Sequence, residues 1–232
     1  MSNFVFPPLE IPSVAVRGTD ARYAVSRIFC VGRNYADHAR EMGADPTREP
    51  PFYFTKPATA LTPSGATVAY PSVTQNYHYE MELVIALGAP VFRVTPEAAR
   101  AAIWGYAVGL DMTRRDLQAA AKAGGKPWDT AKGFDQSAIL GDIARVSEVG
   151  LLNQGAITLS VNGVEKQRGD LADMIWRQAE IVSNLSQLYH LHAGDLIYTG
   201  TPAGVGAVVP GDVITGRIEG LGDITLTIGP AE

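Results

Sequence analysis

Short runs rich in β-branched and aromatic residues, separated by Gly and Pro turns, recur along this 232-residue chain. Such runs are typical of β-strands. The clearest pair, residues 157–161 and 164–168, is joined by Asn162-Gly163, and Asn-Gly supplies the two positive φ angles of a type I′ hairpin turn. Because strands outnumber helices and do not alternate regularly with them, the sequence predicts an α+β, mainly β fold rather than a doubly wound sheet.

Helices are predicted in four segments: residues 35–42, 97–102, 113–123 and 171–189. We expect Asn34 to cap the first, and Thr95-Pro96 to begin the second. Thr113 and Asp116 have the spacing of a capping box at the start of the third. Apolar residues at helical spacing make the fourth amphipathic.

The chain is expected to hold one domain. Residues 1–24 are Pro-rich and predicted to be an N-terminal extension, and residues 25–232 are long enough for a single β-rich domain with a sizeable core. No internal repeat or linker interrupts them.

Composition narrows the classes of partner. The net charge is -5 and no Lys/Arg run occurs, so no nucleic-acid partner is expected. Cys30 stands alone in an apolar run, which suits a reducing compartment. No apolar run has the length of a membrane span, and the first ten residues lack a basic segment followed by a long apolar one. We therefore expect a cytoplasmic protein without a membrane partner.

One predicted strand, residues 77–88, carries Glu80 and Glu82 two positions apart, so both carboxylates point to the same face. Two carboxylates 4 Å apart repel each other by about 4 kcal/mol at an effective dielectric constant near 20. A shared proton, an Arg or Lys, or a metal ion would offset that repulsion. The alternative is that both are solvated on an exposed strand.

Other polar residues extend this pattern. Asp111 ends the strand predicted over residues 103–110, and an all-carboxylate set selects a hard cation such as Mg²⁺ or Mn²⁺, with Ca²⁺ possible. Arg115, Gln118 and Lys132 follow as donors suited to an anionic, oxygen-rich substrate. His38 and Glu41 share one face of the first helix, either as a functional pair or as a solvated charge pair.

Five motifs in order, over residues 25–228, resemble the fumarylacetoacetate hydrolase family. They are Gly32-Arg33-Asn34-Tyr35-Ala36-Asp37-His38-Ala39-Arg40-Glu41, Glu80-Met81-Glu82-Leu83, Asp111 with Arg115 and Gln118, Lys132-Gly133-Phe134-Asp135, and Thr199-Gly200-Thr201-Pro202-Ala203-Gly204-Val205. The run from Arg27 to Tyr35 is most similar to the bacterial branch of the family that hydrolyses fumarylpyruvate in the gentisate pathway. The family often has Ser at the position of Gly133.

The resemblance implies a mixed β-sandwich roll, usually a homodimer, with assigned site residues. Glu80, Glu82 and Asp111 match the metal ligands. His38 and Glu41 match the pair that activates water, on a helix that becomes an ordered lid over bound ligand in relatives. The matches to substrate-contacting positions are Lys132, which is also expected to act in catalysis, and Arg115, Gln118 and Thr201.

The function implied is metal-dependent hydrolysis of the C–C bond of a 2,4-dioxo acid, with fumarylpyruvate giving fumarate and pyruvate. Lys132 would stabilise the enolate that leaves. Arg33, Arg40 and His78 are candidates to bind the distal carboxylate. Two alternatives stay open: an acylpyruvase or oxaloacetate decarboxylase of the same family, and a non-catalytic oxo-acid-binding protein.

Overall fold

The computed structural model describes residues 4–8, 10–41 and 49–232, and most of its regular structure is β-strand. The strands, in chain order, are β1 Ser13–Ala15, β2 Arg22–Ala24, β3 Arg27–Gly32, β4 Phe52–Lys56, β5 Leu61–Pro63, β6 Thr67–Tyr70, β7 Tyr77–Tyr79, β8 Met81–Leu87, β9 Ile103–Asp111, β10 Thr113–Arg114, β11 Ala138–Leu140, β12 Ala144–Arg145, β13 Ala156–Val161, β14 Val164–Asp170, β15 Asp195–Tyr198, β16 Gly206–Val208, β17 Val213–Ile218 and β18 Gly222–Ala231. The α-helices are α1 Ala36–Glu41, α2 Pro96–Ala102, α3 Arg115–Ala123, α4 Asp129–Lys132, α5 Val146–Val149 and α6 Gln178–Leu188. Single 3₁₀ turns cover Ala58–Ala60 and Leu171–Asp173.

Two curled sheets form the body of the fold. One contains eight strands, ordered β4-β3-β15-β8-β9-β11-β5 with β12 also paired to β9, and the other contains five, ordered β14-β13-β17-β18-β6. Parallel pairs (β3 with β15, β5 with β11, β6 with β18) occur among antiparallel ones, so both sheets are mixed. The predicted α+β, mainly β roll is confirmed.

Strand β8 is buried on both faces, and this positions the site. Its side chains alternate: Leu83 and Ile85 belong to the larger apolar core, which also includes residues of the five-stranded sheet, and Val84 and Ala86 belong to a second core. Glu82 points to the side of Val84 and Ala86 because residues two apart share a face. A carboxylate therefore enters a region that excludes water.

The predicted strand over residues 77–88 is divided at Glu80. β7 pairs with β10 and β16 in a small sheet, whereas β8 enters the eight-stranded sheet. The Asp111 N–H donates to the carbonyl of Glu80 at 2.9 Å across this break. The prediction of one continuous strand was wrong, but the break leaves the Glu80 and Glu82 carboxylates close together.

Three helix predictions need correction because side chains are used elsewhere. Thr113 does not cap α3: it lies in β10 and its hydroxyl donates to the carbonyl of Asp111 at 3.1 Å. The amphipathic segment 171–189 is divided, since the Asn34 carbonyl and its Oδ1 accept the N–H groups of Ile175 and Trp176, and α6 begins only at Gln178. The Asn34 side chain thus connects the segment at Trp176 to Thr199, and it does not cap α1 as predicted.

Other predictions agree with the structure. Thr95 caps α2 by accepting the Ala98 N–H, and Asn162 and Gly163 have φ of 51° and 77° in the β13–β14 turn. The predicted end of α1 at Met42 lies outside the described residues. Residues 13–24 form the β1–β2 hairpin, and treating residues 1–24 as an extension stays a prediction. Among the residues described, none of the helices combines the length and apolar character needed to cross a bilayer.

Candidate active site

Three buried carboxylates meet where β8 begins and β9 ends. One oxygen from each of Glu80, Glu82 and Asp111 lies within 4.8 Å of the others. The antiparallel pairing of β8 with β9 brings them together, since Met81 is opposite Leu110 and Glu82 opposite Gly109. Asp111 is completely buried, and Glu80 and Glu82 are 5% and 2% exposed. The exposed-strand alternative is therefore excluded for both glutamates.

Glu80 is fully paired with cations. Lys132 on α4 donates to its Oε2 at 2.8 Å, and the Arg115 guanidinium at the start of α3 donates to its Oε1. Burial alone would raise the pKa of Glu80, but Lys132 and Arg115 outweigh burial and hold that pKa well below its ordinary value. Glu80 is thus a carboxylate at neutral pH.

Asp111 lies between two buried lysines. Lys132 donates to its Oδ2 at 2.7 Å, and the Lys56 ammonium lies 2.8 Å from its Oδ1. That second contact lacks hydrogen-bond geometry, so Oδ1 is a buried oxygen without a donor among the described groups. Lys56 instead donates to the carbonyls of Met112 and Lys132. Burial would lower the pKa of Lys132, yet Asp111 and Glu80 raise it, so Lys132 keeps its proton.

Glu82 differs from its two neighbours because no described cation pairs with it. Its Oε2 accepts the Gly200 N–H at 2.7 Å. Gly200 has a φ of +95°, and a Cβ there would lie 2.8 Å from that of Asn34, so glycine is required. Burial, followed by the charges of Asp111 and Glu80, raises the pKa of Glu82 well above its ordinary value.

These observations fit a divalent cation. The Glu82 carboxylate needs a positive partner, the Oδ1 oxygen of Asp111 lacks a donor, and all three ligands are hard oxygens. Glu80, Glu82 and Asp111 could hold such an ion, with waters or a ligand completing its coordination.

His38 and Glu41 form a pair on α1. His38 Nδ1 lies 3.2 Å from Glu41 Oε2, and both Glu41 oxygens accept the Gly204 N–H at 3.1–3.2 Å. Gly204 belongs to the glycine-rich loop that also holds Gly200, and its φ is +95°. A carboxylate on Nδ1 orients the ring and leaves Nε2 as the reactive nitrogen. The loop therefore positions the Glu82 carboxylate and the His38–Glu41 pair together.

One cavity of about 450 Å³ collects most of the predicted site residues. They are His38, Glu80, Glu82, Arg115, Gln118, Lys132 and Thr201. Arg115 donates to the Gln118 amide oxygen, which leaves the Gln118 amide N–H groups as donors for a ligand. Asp111 lies beneath the cavity and Glu41 behind His38. The roles assigned to these nine residues stay predictions.

The three candidates for the distal carboxylate are separated by the structure. Arg33 lines the cavity, whereas Arg40 and His78 do not. Arg40 pairs with exposed Asp37. His78 donates from Nε2 to Asn76 and accepts from Arg115 at Nδ1, and burial followed by the Arg115 charge lowers its pKa to about 4. A neutral His78 is a poor partner for a carboxylate.

Two supporting residues were not predicted from the sequence. Gln167 on β14 is fully buried, donates to Thr201 Oγ1 at 2.8 Å and accepts the Met81 N–H, so it links the glycine-rich loop to β8. Lys56, beside Asp111, follows the aromatic run of β4. The only sequence signal for Gln167 is its place in the polar strand that the hairpin turn fixes, and the signal for Lys56 is a lysine at the end of an apolar strand.

Comparison with known proteins identifies a matching family and several similar proteins. The profile of the family described as fumarylacetoacetate (FAA) hydrolase C-terminal matches residues 27–229. A fumarylpyruvate hydrolase of Ralstonia sp is 55% identical over 188 residues, which are 81% of this chain and 97% of that protein. The oxaloacetate tautomerase YcgM of Escherichia coli K12 is 42% identical over 85% of this chain and 90% of its own. A crystal structure of fumarylpyruvate hydrolase from Pseudomonas aeruginosa, in complex with Mn²⁺ and pyruvate, has a TM-score of 0.96 at 50% identity over 98% of this chain and 100% of its own.

Proposed function

Because the chain belongs to the fumarylacetoacetate hydrolase family, we propose that it is a metal-dependent hydrolase that cleaves fumarylpyruvate to fumarate and pyruvate. The observation that carries this proposal is that the unpaired Glu82 carboxylate and the His38–Glu41 pair meet through one loop at one cavity. An oxo-acid-binding protein needs no imidazole oriented by a carboxylate to bind its ligand.

The reaction needs a base and an anion site. Glu80, Glu82 and Asp111 would hold a divalent ion beside the oxo-acid end of the substrate, where its positive charge would stabilise the enolate. Arg115, Gln118 and Thr201 would orient this oxo-acid end with their N–H and O–H groups. Lys132, charged and buried, would donate to the oxygen on which the enolate charge develops.

His38 would carry the proton. Its Nε2 takes a proton from water, and the hydroxide adds to the 4-carbonyl carbon. The bond between C3 and C4 then breaks, which releases fumarate, and the electron pair moves onto the pyruvate enolate. The proton held by His38 returns to C3 to give pyruvate. General-base catalysis of this kind contributes about 10²–10⁴-fold to the rate.

The experiment follows the ultraviolet absorbance of fumarylpyruvate. We expect turnover with Mg²⁺ or Mn²⁺ and none after EDTA, with recovery when metal is added back. His38→Ala should lower kcat by about 10²–10⁴-fold and leave metal binding intact, because His38 is not a ligand. His192→Ala, which removes an exposed imidazole outside the cavity, is the matched control and should match the unmodified enzyme.

Other outcomes would favour the alternatives. Oxaloacetate turnover without fumarylpyruvate cleavage would assign the chain to the activity of its oxaloacetate-converting relatives. Metal and oxo-acid binding without turnover of either acid would favour a non-catalytic binding protein. The proposal includes the expectations of a cytoplasmic homodimer in gentisate breakdown that uses Mg²⁺ or Mn²⁺, and the family resemblance supports them.

A further inference from the structure

The active-site cavity continues beyond the proposed metal and oxo-acid end. Past the carboxylates its lining changes to three aromatic rings and two basic side chains, Arg33 and Lys122. We call one part the inner end: it is lined by His38, Glu80, Glu82, Arg115, Gln118, Lys132 and Thr201, and it includes the buried Asp111 and Lys56 behind that lining. The part with Arg33 and Lys122 is the outer end. The proposed reaction uses only the inner end.

Helix α3 runs along the cavity from one end to the other. Arg115, Gln118 and Lys122 all line it, at the i, i+3, i+7 spacing of one helical face. At about 1.5 Å per residue, Lys122 is roughly 6 Å beyond Gln118 and 10 Å beyond Arg115 along the axis. Arg115 and Gln118 are buried, whereas Lys122 is exposed. The helix thus spaces a cation at a fixed distance from the oxo-acid end.

That spacing suits a seven-carbon dicarboxylate. Six carbon–carbon bonds of about 1.5 Å in an extended zigzag separate the two terminal carboxyl carbons by roughly 7–8 Å. A chain with its 1-carboxylate at the inner end would therefore bring its other carboxylate within reach of the flexible Lys122 side chain. Acetylpyruvate and oxaloacetate are too short to do so.

The wall between the two ends is aromatic. The Trp128 ring packs edge-on against Phe52 with centroids 5.3 Å apart, and against Phe54 at 5.8 Å. All three rings line the cavity, and the α3 residues between the polar positions include Ala119. Flat aromatic faces suit a planar, conjugated carbon chain such as the fumaryl arm.

Arg33 is held at the outer end by its backbone. It adopts a φ of +59°, unusual for a residue with a side chain, and its guanidinium lies 5.4 Å from the Phe52 ring centroid. The next residue, Asn34, is fixed because its Nδ2 donates to the carbonyls of Thr199 and Trp176. Arg33 is therefore directed to the cavity wall by anchored neighbours.

We propose that Lys122 and Arg33 form the subsite for the distal carboxylate of the substrate, with Phe52, Phe54 and Trp128 holding the conjugated arm. The inference rests on the proposed function and adds a determinant of substrate choice. It makes Lys122 and Arg33 specificity residues that favour a dicarboxylate over shorter oxo acids.

The test measures binding without turnover. In a His38→Ala background with Mg²⁺, dissociation constants are measured by calorimetry for fumarylpyruvate and for acetylpyruvate, which lacks the distal carboxylate. Lys122→Met should weaken fumarylpyruvate binding about tenfold, the loss expected for one charge-assisted contact, and change acetylpyruvate binding less than about twofold. Lys122→Glu should weaken fumarylpyruvate further by repulsion. Lys126→Met, an exposed lysine outside the cavity, is the matched control.

The outcomes separate the subsite from the reaction. Equal losses for the two acids, or none for fumarylpyruvate, would overturn the subsite even if the unmodified enzyme cleaves fumarylpyruvate. A loss confined to fumarylpyruvate, together with no cleavage of fumarylpyruvate by the unmodified enzyme, would keep the subsite and reject the proposed function. If neither acid binds, both proposals fail. In an active enzyme, we expect Lys122→Met to raise KM for fumarylpyruvate about tenfold with kcat nearly unchanged.

Discussion

The inner and outer ends of one cavity differ in burial and in the pairing of their charges. At the inner end, Glu80, Asp111 and Lys132 are almost inaccessible to water, and each has two or more charged partners. At the outer end, Lys122 is exposed and Arg33 half-buried. The inner end is rigid before any ligand arrives, whereas solvent competes for the cations of the outer end. We infer that chemistry is preorganised inside and that substrates are distinguished outside.

The charge balance of the inner end sharpens this comparison. Three carboxylates (Glu80, Glu82 and Asp111) face three cations (Lys56, Lys132 and Arg115), yet the cations concentrate on Glu80 and Asp111. A buried ion destabilises the fold unless it is paired. Removing one partner of a buried ion pair therefore lowers stability more than replacing both partners by apolar residues. Glu82 is thus the carboxylate of the inner end whose charge is least compensated, and a bound divalent ion would stabilise it most.

The largest effect is therefore expected from Glu82→Gln. Removing a ligand charge should weaken Mn²⁺ binding more than about 100-fold, beyond the effect of changing a residue that only supports a ligand, and activity should fall with it. Stability without metal should stay equal or rise, because burial and neighbouring charges disfavour the Glu82 carboxylate. Calorimetric Mn²⁺ titration and thermal unfolding measure the two effects.

Glu165→Gln is the matched control, since Glu165 pairs with Arg168 on the surface. It should change neither metal binding nor activity. Near-normal Mn²⁺ affinity in Glu82→Gln would show that the metal site has been assigned to the wrong residues, and the contrast between the two ends would lose its basis.

The sequence predicted the inner end only in part. Alternation along a strand placed Glu80 and Glu82 together, and the motif order added Asp111, His38 and Glu41. The spacing of Glu80 and Glu82 is a local signal and the motif order does not depend on strand bounds, so both survive the break at Glu80. Lys56 and Gln167 act through long-range contacts, 55 residues from Asp111 and 86 from Met81, which no periodicity encodes.

The errors in predicting the fold also arise from contacts that local sequence patterns do not encode. Residues 171–189 have one amphipathic pattern, but the Asn34 carbonyl and side chain, about 140 residues earlier, take the N–H groups of Ile175 and Trp176 and divide the helix. Likewise, the Thr113 hydroxyl prefers the nearby Asp111 carbonyl to a helix cap. Local propensity identified most elements, and tertiary hydrogen bonds decided where they begin.

The second effect in size concerns Lys56, the buried cation beneath the inner end. Lys56→Met should lower the free energy of unfolding without metal by about 3–5 kcal/mol, because it leaves Asp111 with one cation fewer in a buried position. Saturating Mg²⁺ or Mn²⁺ should restore more stability to this variant than it adds to the unmodified protein, since the ion offsets the charge of Asp111. Denaturant unfolding with and without metal measures both.

Lys166→Met, on the exposed side of β14, controls for the loss of a lysine and should change unfolding by less than about 0.5 kcal/mol. If Lys56→Met behaves like this control, the inner end does not depend on its buried charges. Its rigidity would then have to come from the apolar packing of β8 and β9 alone.

The smallest effect is expected at Asp116, which fixes the helix shared by both ends. Its carboxylate accepts the Thr74 hydroxyl at 2.6 Å and the N–H groups of Gln75 and Leu117 at 2.8 and 2.9 Å. Asp116→Ala should cost about 1–2 kcal/mol of stability. Because α3 carries Arg115 and Lys122 alike, kcat/KM for fumarylpyruvate and acetylpyruvate should change together.

The dependence of this stability loss on pH shows whether it comes from the hydrogen bonds to the Asp116 carboxylate. Partial burial would raise the pKa of Asp116, but the hydrogen bonds from Gln75, Thr74 and Leu117 outweigh burial and hold that pKa below its ordinary value of 3.8. A lowered folded-state pKa stabilises the protein above the unfolded value and loses that effect as the pH falls through the folded value. The stability gap between the protein and Asp116→Ala should therefore narrow below about pH 3.8, measured by urea unfolding. A gap independent of pH would assign the loss to packing, and a change confined to fumarylpyruvate would mean that α3 orients Lys122 separately from the inner end.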